Sequence, residues 1–395
     1  MDCFRKRFDA KNVQKARLYI TACGVYEAKI NGRKAGSFVM APGLTDYRKR
    51  IQYQTIDVTD LLVSGENQLT VQLADGWYRG SCGAWGLKNQ YGRQTKLLAQ
   101  LEITHADGSR QTIVTDGTWE WSNDGPIRFA DNKDGEIVDG RALPSYGGKA
   151  KVAKHNVIPC ASNNVPVMEH EYFSARKIIT PSGKTVLDFG QNIAGHIAFR
   201  LQAHAGQKIV LRFGEMLNAD GEFTQENFQL SMGKKTTPLQ KVEYICKEGL
   251  NEYKTTFAVF GFQYVLVETD IEIAPEDFEA IAVYSDMEQV GFFNCSHELL
   301  NRFVDAAIWS AKGNHLDVPT DFTEQLMRSR EASTGTQADI HEKDTAYLAT
   351  CRQTGRAAAE FYGWTIISCV KDGKMRSIED IHQEIRRHVA ACLEG

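Results

Sequence analysis

Residues 15–36 read KARLYITACGVYEAKINGRKAG. Apolar and polar side chains alternate along both halves of this stretch, the period of a strand that buries one face and wets the other. Between the alternating runs stands Asn31-Gly32, a pair that tolerates the positive backbone angles of a two-residue hairpin turn. The stretch therefore reads as paired strands. Working outward, IQYQTIDVT, NQLTVQLADG, KLLAQLEITHADGSRQTIVTD and WEWS repeat the pattern, with Asp107-Gly108 as a second hairpin turn. Residues 15 to about 125 are expected to form an all-β, jelly-roll-like sandwich.

The segment from Arg128 to Cys160 is charged and rich in glycine, and it is expected to be loop and linker. Alternation returns from about 165 to 290 in KTVLDFGQNIAGHIAFRLQA, QKIVLRFGEML, QKVEYICK, EYKTTFAVFGFQYVLVETD and EAIAVYSDM, which predicts a second sandwich. Near residue 290 the period changes. Leu299, Leu300, Phe303, Ala306, Ala307 and Ser310 recur at helical spacing behind a start signal at Ser296 and Glu298. Helical patterns continue through TAYLATCRQTGRAAAEFYGWTIISCV and through SIEDIHQEIRRHVAACLE, which carries a stripe of Ile378, Ile381, Ile385 and Val389. The expected division is 1–155, 156–288 and 289–395.

Bulk properties exclude several functions. At 42% hydrophobic, 24% charged and a net charge of -4, the 395-residue chain offers no electrostatic reason to bind nucleic acid or an anionic membrane. No apolar run reaches the roughly 18 residues of a membrane span. The first twenty residues are charged throughout and lack the apolar core of a secretory signal. Nine scattered cysteines without a C-x-x-C pair suggest neither a disulfide framework nor a thiolate zinc site. These features point to the cytoplasm and leave the oligomeric state open. A phosphate-cradling G-x-G-x-x-G and a G-x-S-x-G nucleophile motif are both lacking.

Particular residues carry a resemblance. KARLYITACGVYEAKINGRKAG, MAPGLTDYRKRIQYQTIDVTDLL and GENQLTVQLADGWYRG resemble the N-terminal domain of bacterial α-L-rhamnosidases, glycoside hydrolase family seventy-eight. VLDFGQNIAGHIAFRL, GEMLNADGEF and FGFQYVLVE resemble that family's concanavalin-like sandwich. NCSHELLNRFVDAAIWSAKGNHLDVPTD resembles the entry into its six-hairpin, or (α/α)6, catalytic barrel. The likeness is colinear from about residue 4 to 321. It implies a fold of two β-sandwiches followed by an all-α six-hairpin segment, no organic cofactor, and a rhamnose-containing oligosaccharide or glycoside as substrate.

The resemblance also implies chemistry. The family inverts the anomeric centre, which calls for a protonated carboxyl at the leaving oxygen and a second carboxylate that activates water, roughly 6.5–9.5 Å apart. Asp321 matches the family's sugar-binding Asp, Glu331 behind Arg330 is the candidate general acid, and Asp339 is the candidate for a later Asp. Glu324 is a rival acid. FTEQLM stands where the family has a short Cys-Pro step, and ASTGTQAD lacks the family's Trp. A six-hairpin barrel needs about twelve helices, well over 200 residues at about 11–12 residues per helix, whereas roughly 100 follow Cys295. The expectation is therefore a barrel cut short, with no position for the general base.

Each feature has a plainer reading. Asp317, Asp321 and Glu331 suit a solvated loop between helices. Asp131, Asn132, Asp134, Glu136 and Asp139 offer oxygen ligands for calcium, or a solvated turn. Trp77 and Tyr78 suit sugar stacking at a strand end, or packing. His196 suits a metal or sugar contact, or a satisfied structural histidine.

Overall fold

A computed structural model describes residues 1–82, 86–232, 235–319, 365–368, 370–371 and 374–394. The first sandwich has two faces. One sheet runs Gly148–Lys149, Glu120–Ser122, Asp2–Ala10, Gly65–Ala74, Val25–Ile30, Arg33–Lys34; the other runs Cys160–Ala161, Gln52–Asp57, Val13–Cys23, Lys96–His105, Arg110–Val114. Leu18, Ile20, Ile30, Leu69, Leu73, Leu101 and Trp119 fill the space between them. Both predicted hairpins form. Ile30 pairs with Arg33 across Asn31 and Gly32, whose φ angles are 53° and 81°, and Thr104 pairs with Arg110 around Gly108.

The strand Asp2–Ala10 lies outside the sandwich predicted from residue 15 onward. It pairs along its whole length with Gly65–Ala74. Its sequence DCFRKRFDA hides the alternation because charged side chains sit on its outer face, where Arg5 reaches Glu120 at 2.5 Å.

The second sandwich is built on the 19-residue strand Thr185–Ala203. The start of this strand pairs with Arg176–Ile179 and Phe260–Thr269, and its end pairs with Gly249–Lys254 and Phe278–Ser285, with a register shift between Asp188 and Ile193. The core is aromatic: Phe213 stacks on Phe260 at 3.9 Å between ring centroids, and Phe199 meets Tyr244, Tyr253 and Phe278.

The expected linker is ordered in part. Ile127–Asp131 and Gly135–Asp139 form a hairpin whose second strand runs parallel to Lys241–Ile245, extending the sheet of the second sandwich. Local charge is a poor guide here, because Asp131, Asp134 and Glu136 are buried and paired rather than solvated.

Helix α1 spans Gly76–Arg79, α2 spans Glu298–Gly313 and α3 spans Ile378–Glu394. Helix α2 starts after His297, one residue beyond the expected Ser296. The chain divides into two compact units, Met1–Thr323 and Glu324–Gly395. In the first, α2 rests on the second sandwich through Trp309, 5.7 Å from Phe173, and Lys312, 2.6 Å from Glu171. The stripe that announced the helix faces solvent instead, with Leu299 and Phe303 66% and 69% exposed. In the second unit, the Ser377 hydroxyl accepts from the Asp380 N–H at the start of α3, and Ile385 and Val389 are exposed. Among the described residues no helix is long and apolar enough to cross a membrane.

Candidate functional site

The approach to the expected sugar site is a tight turn after α2. His315–Leu316 and Val318–Pro319 pair around Asp317, whose φ of 73° is left-handed, a conformation that Asp adopts more readily than most residues. The Asp317 carboxylate is shared between two distant segments. Its Oδ2 accepts from the Leu44 N–H at 2.6 Å and its Oδ1 from the Asn164 side-chain amide at 2.9 Å. Its own N–H donates to the Ser285 hydroxyl at 2.9 Å. Burial pushes the Asp317 carboxyl above the usual carboxylate range, and the Asn164 and Leu44 donors pull it part of the way back.

Asp321, Glu324, Arg330, Glu331 and Asp339 lie outside the described residues. Of the helical pattern expected from Thr345 to Val370, residues 345–364 and 369 also lie outside the described residues, while the described end corrects it: residues 365–368 form no helix, and Val370–Lys371 pairs as a short strand with Lys374–Met375.

The acidic hairpin carries a dense hydrogen-bond network. Asp131 Oδ2 accepts from the Ser81 N–H and hydroxyl, both at 2.9 Å, and Oδ1 accepts from the N–H groups of Lys133 and Asp134. Asp134 Oδ1 accepts from Leu239 N–H at 3.1 Å. The Lys88 ammonium lies 3.2 Å from Asp131 and 3.6 Å from Asp134, so a side-chain cation already stands between the two carboxylates. Burial opposes ionisation of Asp131, yet the backbone donors and Lys88 hold its pKa below the ordinary value. Asp139 pairs with Arg141 at 2.9 Å, and Glu136 takes donors from the second sandwich. One oxygen is left over, Asn132 Oδ1, which is buried without a donor. Among the described residues no group of three or more His, Cys, Asp or Glu side chains is placed to hold a metal ion. The donor sets around Asp131 and Asp134 suit a loop staple better than a calcium cradle.

Trp77 and Tyr78 belong to helix α1 rather than to a strand end. Both are buried, and the Tyr78 ring meets Tyr47 edge-on at 5.3 Å, so they pack. Beside α1 opens a depression lined by Asp2, Asp75, Arg79, Thr95, Arg128 and Phe129. His196 is buried at 1% exposure, with Nδ1 3.2 Å from Glu169 Oε1 and Nε2 without a partner. Burial depresses the His196 pKa and keeps the ring neutral. Glu169 ionises despite its burial, because His196 and Lys254, whose ammonium is 2.7 Å away, hold it down to about 2. By its local sequence Asp317 belongs to a polar loop. The signal for its role was distributed over Gly43-Leu44 and Asn164, far away in the chain.

Comparison with known proteins places these features in a family. Residues 11–180 match the alpha-L-rhamnosidase N-terminal domain, residues 178–284 the bacterial alpha-L-rhamnosidase concanavalin-like domain, and residues 288–327 the bacterial alpha-L-rhamnosidase 6 hairpin glycosidase domain. An alpha-L-rhamnosidase of Streptomyces avermitilis is 34% identical over 375 residues, covering 91% of this chain and 35% of the relative. One from Formosa agariphila is 34% identical over 337 residues, covering 80% and 35%. The crystal structure of the Streptomyces avermitilis enzyme complexed with L-rhamnose superposes with a TM-score of 0.75 at 35% identity, over 81% of this chain and 32% of that one. The native enzyme from Aspergillus terreus gives 0.73 at 34% identity, over 80% and 38%. The chain thus spans about a third of the length of the relatives it matches.

Proposed function

The chain belongs to the bacterial α-L-rhamnosidase family, and on that premise we propose that it acts on terminal α-L-rhamnosyl residues of glycans or glycosides, with inversion. The observation that carries this reading is the unbroken succession of three rhamnosidase domains in family order. In this reading the division of labour follows 1–155, 156–288 and 289–395. Glu331 donates the proton to the leaving oxygen, and Asp321, Arg330 and Asp339 hold the sugar. A carboxyl serves as an acid near neutrality only where burial lifts it above its reference value of about 4.3. Inversion also needs a second carboxylate across the sugar to activate water, and the resemblance assigns that role to no residue of this chain.

A second reading is sugar binding without turnover. It is favoured by the shortness of the match to the six-hairpin domain, which covers only residues 288–327. Hydrolysis of p-nitrophenyl α-L-rhamnopyranoside separates the two. Release of p-nitrophenol that disappears in Glu331→Gln supports the hydrolase. Calorimetric binding of L-rhamnose without any release supports the binding protein.

A further inference from the structure

The strand leading to Asp321 is held by a receptor that the first sandwich builds. That receptor is the loop from Phe38 to Tyr47. Tyr26 N–H donates to Ala41 O at 2.9 Å, the Gln54 amide donates to Pro42 O at 3.3 Å, and the Tyr47 hydroxyl donates to Gly43 O at 2.6 Å. Val39 N–H donates to Val167 O at 3.0 Å, which ties the same loop to the first strand of the second sandwich. Met40 and Gly43 both take positive φ angles, 55° and 100°. The result is a loop whose backbone, not its side chains, meets the Asp317 carboxylate.

The approach leaves no slack. A Cβ on Gly43 would lie 2.5 Å from Asp317 Oδ2 and 2.8 Å from its Cγ, inside the distance that carbon and oxygen tolerate. On the opposite oxygen, Asn164 belongs to the segment joining the sandwiches, where Cys160–Ala161 pairs with the first sandwich and Val167–Ser174 with the second. Asp317 therefore contacts the first sandwich, the joining segment and, through Ser285, the last strand of the second sandwich. A largely enclosed carboxylate without donors would be costly, and both of its oxygens are supplied by groups already fixed in place.

We propose that Asp317 is a positioning residue: its carboxylate latches the segment that carries Asp321 onto the Gly43-Leu44 loop, so that the first sandwich is part of the scaffold of the sugar site and not a detachable module. The identity of the sugar rests on the reading above; the latch rests on the geometry alone.

Hydrogen exchange of the full chain, followed by mass spectrometry, tests the latch without any sugar. Asp317→Asn keeps the size and the tolerance of a left-handed backbone but places an NH2 or a neutral oxygen against the Leu44 and Asn164 donors. Exchange in peptides spanning 40–47 and 314–319 is expected to rise together, about tenfold or more, while peptides of the strand Lys208–Gly214 stay unchanged. Gly43→Ala, acting from the other side of the contact, is expected to loosen the same two peptides, and Asn164→Ala to loosen them less. Unchanged protection at 40–47 in Asp317→Asn, or an equal rise throughout both sandwiches, overturns the latch. Where the unsubstituted protein binds L-rhamnose, Asp317→Asn is expected to weaken that binding about tenfold with the unfolding midpoint of the sandwiches unmoved. Where it binds no L-rhamnose, the proposed function fails and the exchange result alone decides the latch.

Discussion

Tyr253 donates its hydroxyl hydrogen to the Glu136 carboxylate at 2.8 Å, inside the second sandwich. The other Glu136 oxygen accepts from the N–H groups of Thr256 and Phe257 at 2.9 and 2.5 Å. Three donors meet one side chain that is 1% exposed. Removing it in Glu136→Ala strands them all, at a cost of roughly 3 kcal/mol or more in urea unfolding. Glu136→Gln, which can still accept on one side, is expected to cost about half as much.

Gly135 is the point where the acidic hairpin joins the second sandwich. Its φ is 111°, and an added Cβ would lie 1.8 Å from the Lys241 carbonyl oxygen, its parallel partner. Gly135→Ala is expected to destabilise by roughly 3 kcal/mol or more, since backbone cannot yield as a flexible side chain can. Gly147→Ala, with open space around its Cβ, is the control, with an expected change within about 0.5 kcal/mol.

The two sides of helix α2 are expected to respond unequally. Trp309→Ala loses the edge contact with Phe173 and the shelter over Lys312, at about 1–3 kcal/mol. Phe303→Ser, on the exposed side, should change stability by less than about 0.5 kcal/mol while lowering the binding of an apolar dye. A large loss at Phe303 would mean that the exposed stripe is covered in solution.

The Glu169–His196 pair predicts a two-stage loss of stability in acid. His196 is neutral in the fold with its pKa lowered from 6.5, so its contribution is present above that value and is lost as pH falls below it, when the unfolded chain takes up the proton first. Glu169, lowered from 4.5 to about 2, contributes above 4.5 and loses that contribution as pH falls from 4.5 towards 2. Thermal melts between pH 7.5 and 3 are expected to show both stages, the lower on the order of 1–2 kcal/mol after screening. His196→Gln should remove the upper stage and shrink the lower one, since His196 is one of the two groups that hold Glu169 down.

Much of the β architecture was legible because its signals are local. Asn31-Gly32 and Asp107-Gly108 announced their hairpins, and the runs around Leu18 and Phe262 their strands. Where charge is paired rather than solvated, local pattern is silent: neither the strand Asp2–Ala10 nor the Ile127–Asp139 hairpin shows the alternation of a half-buried strand. Helix α2 was foreseen as a helix, but the stripe that revealed it is not the one that docks, because Trp309 and Lys312 find partners on another chain segment. The role of Asp317 was illegible for the same reason, since its partners Leu44 and Asn164 are 273 and 153 residues away.

Both proposed readings, hydrolysis and binding without turnover, require that the chain bind L-rhamnose. Calorimetric titration of the full chain with L-rhamnose tests it most directly, with L-fucose and D-glucose titrated in parallel. Saturable one-to-one heat is expected with L-rhamnose alone, weakened at least about tenfold in Asp321→Asn. Equal heats for all three sugars, or none with L-rhamnose, would contradict it.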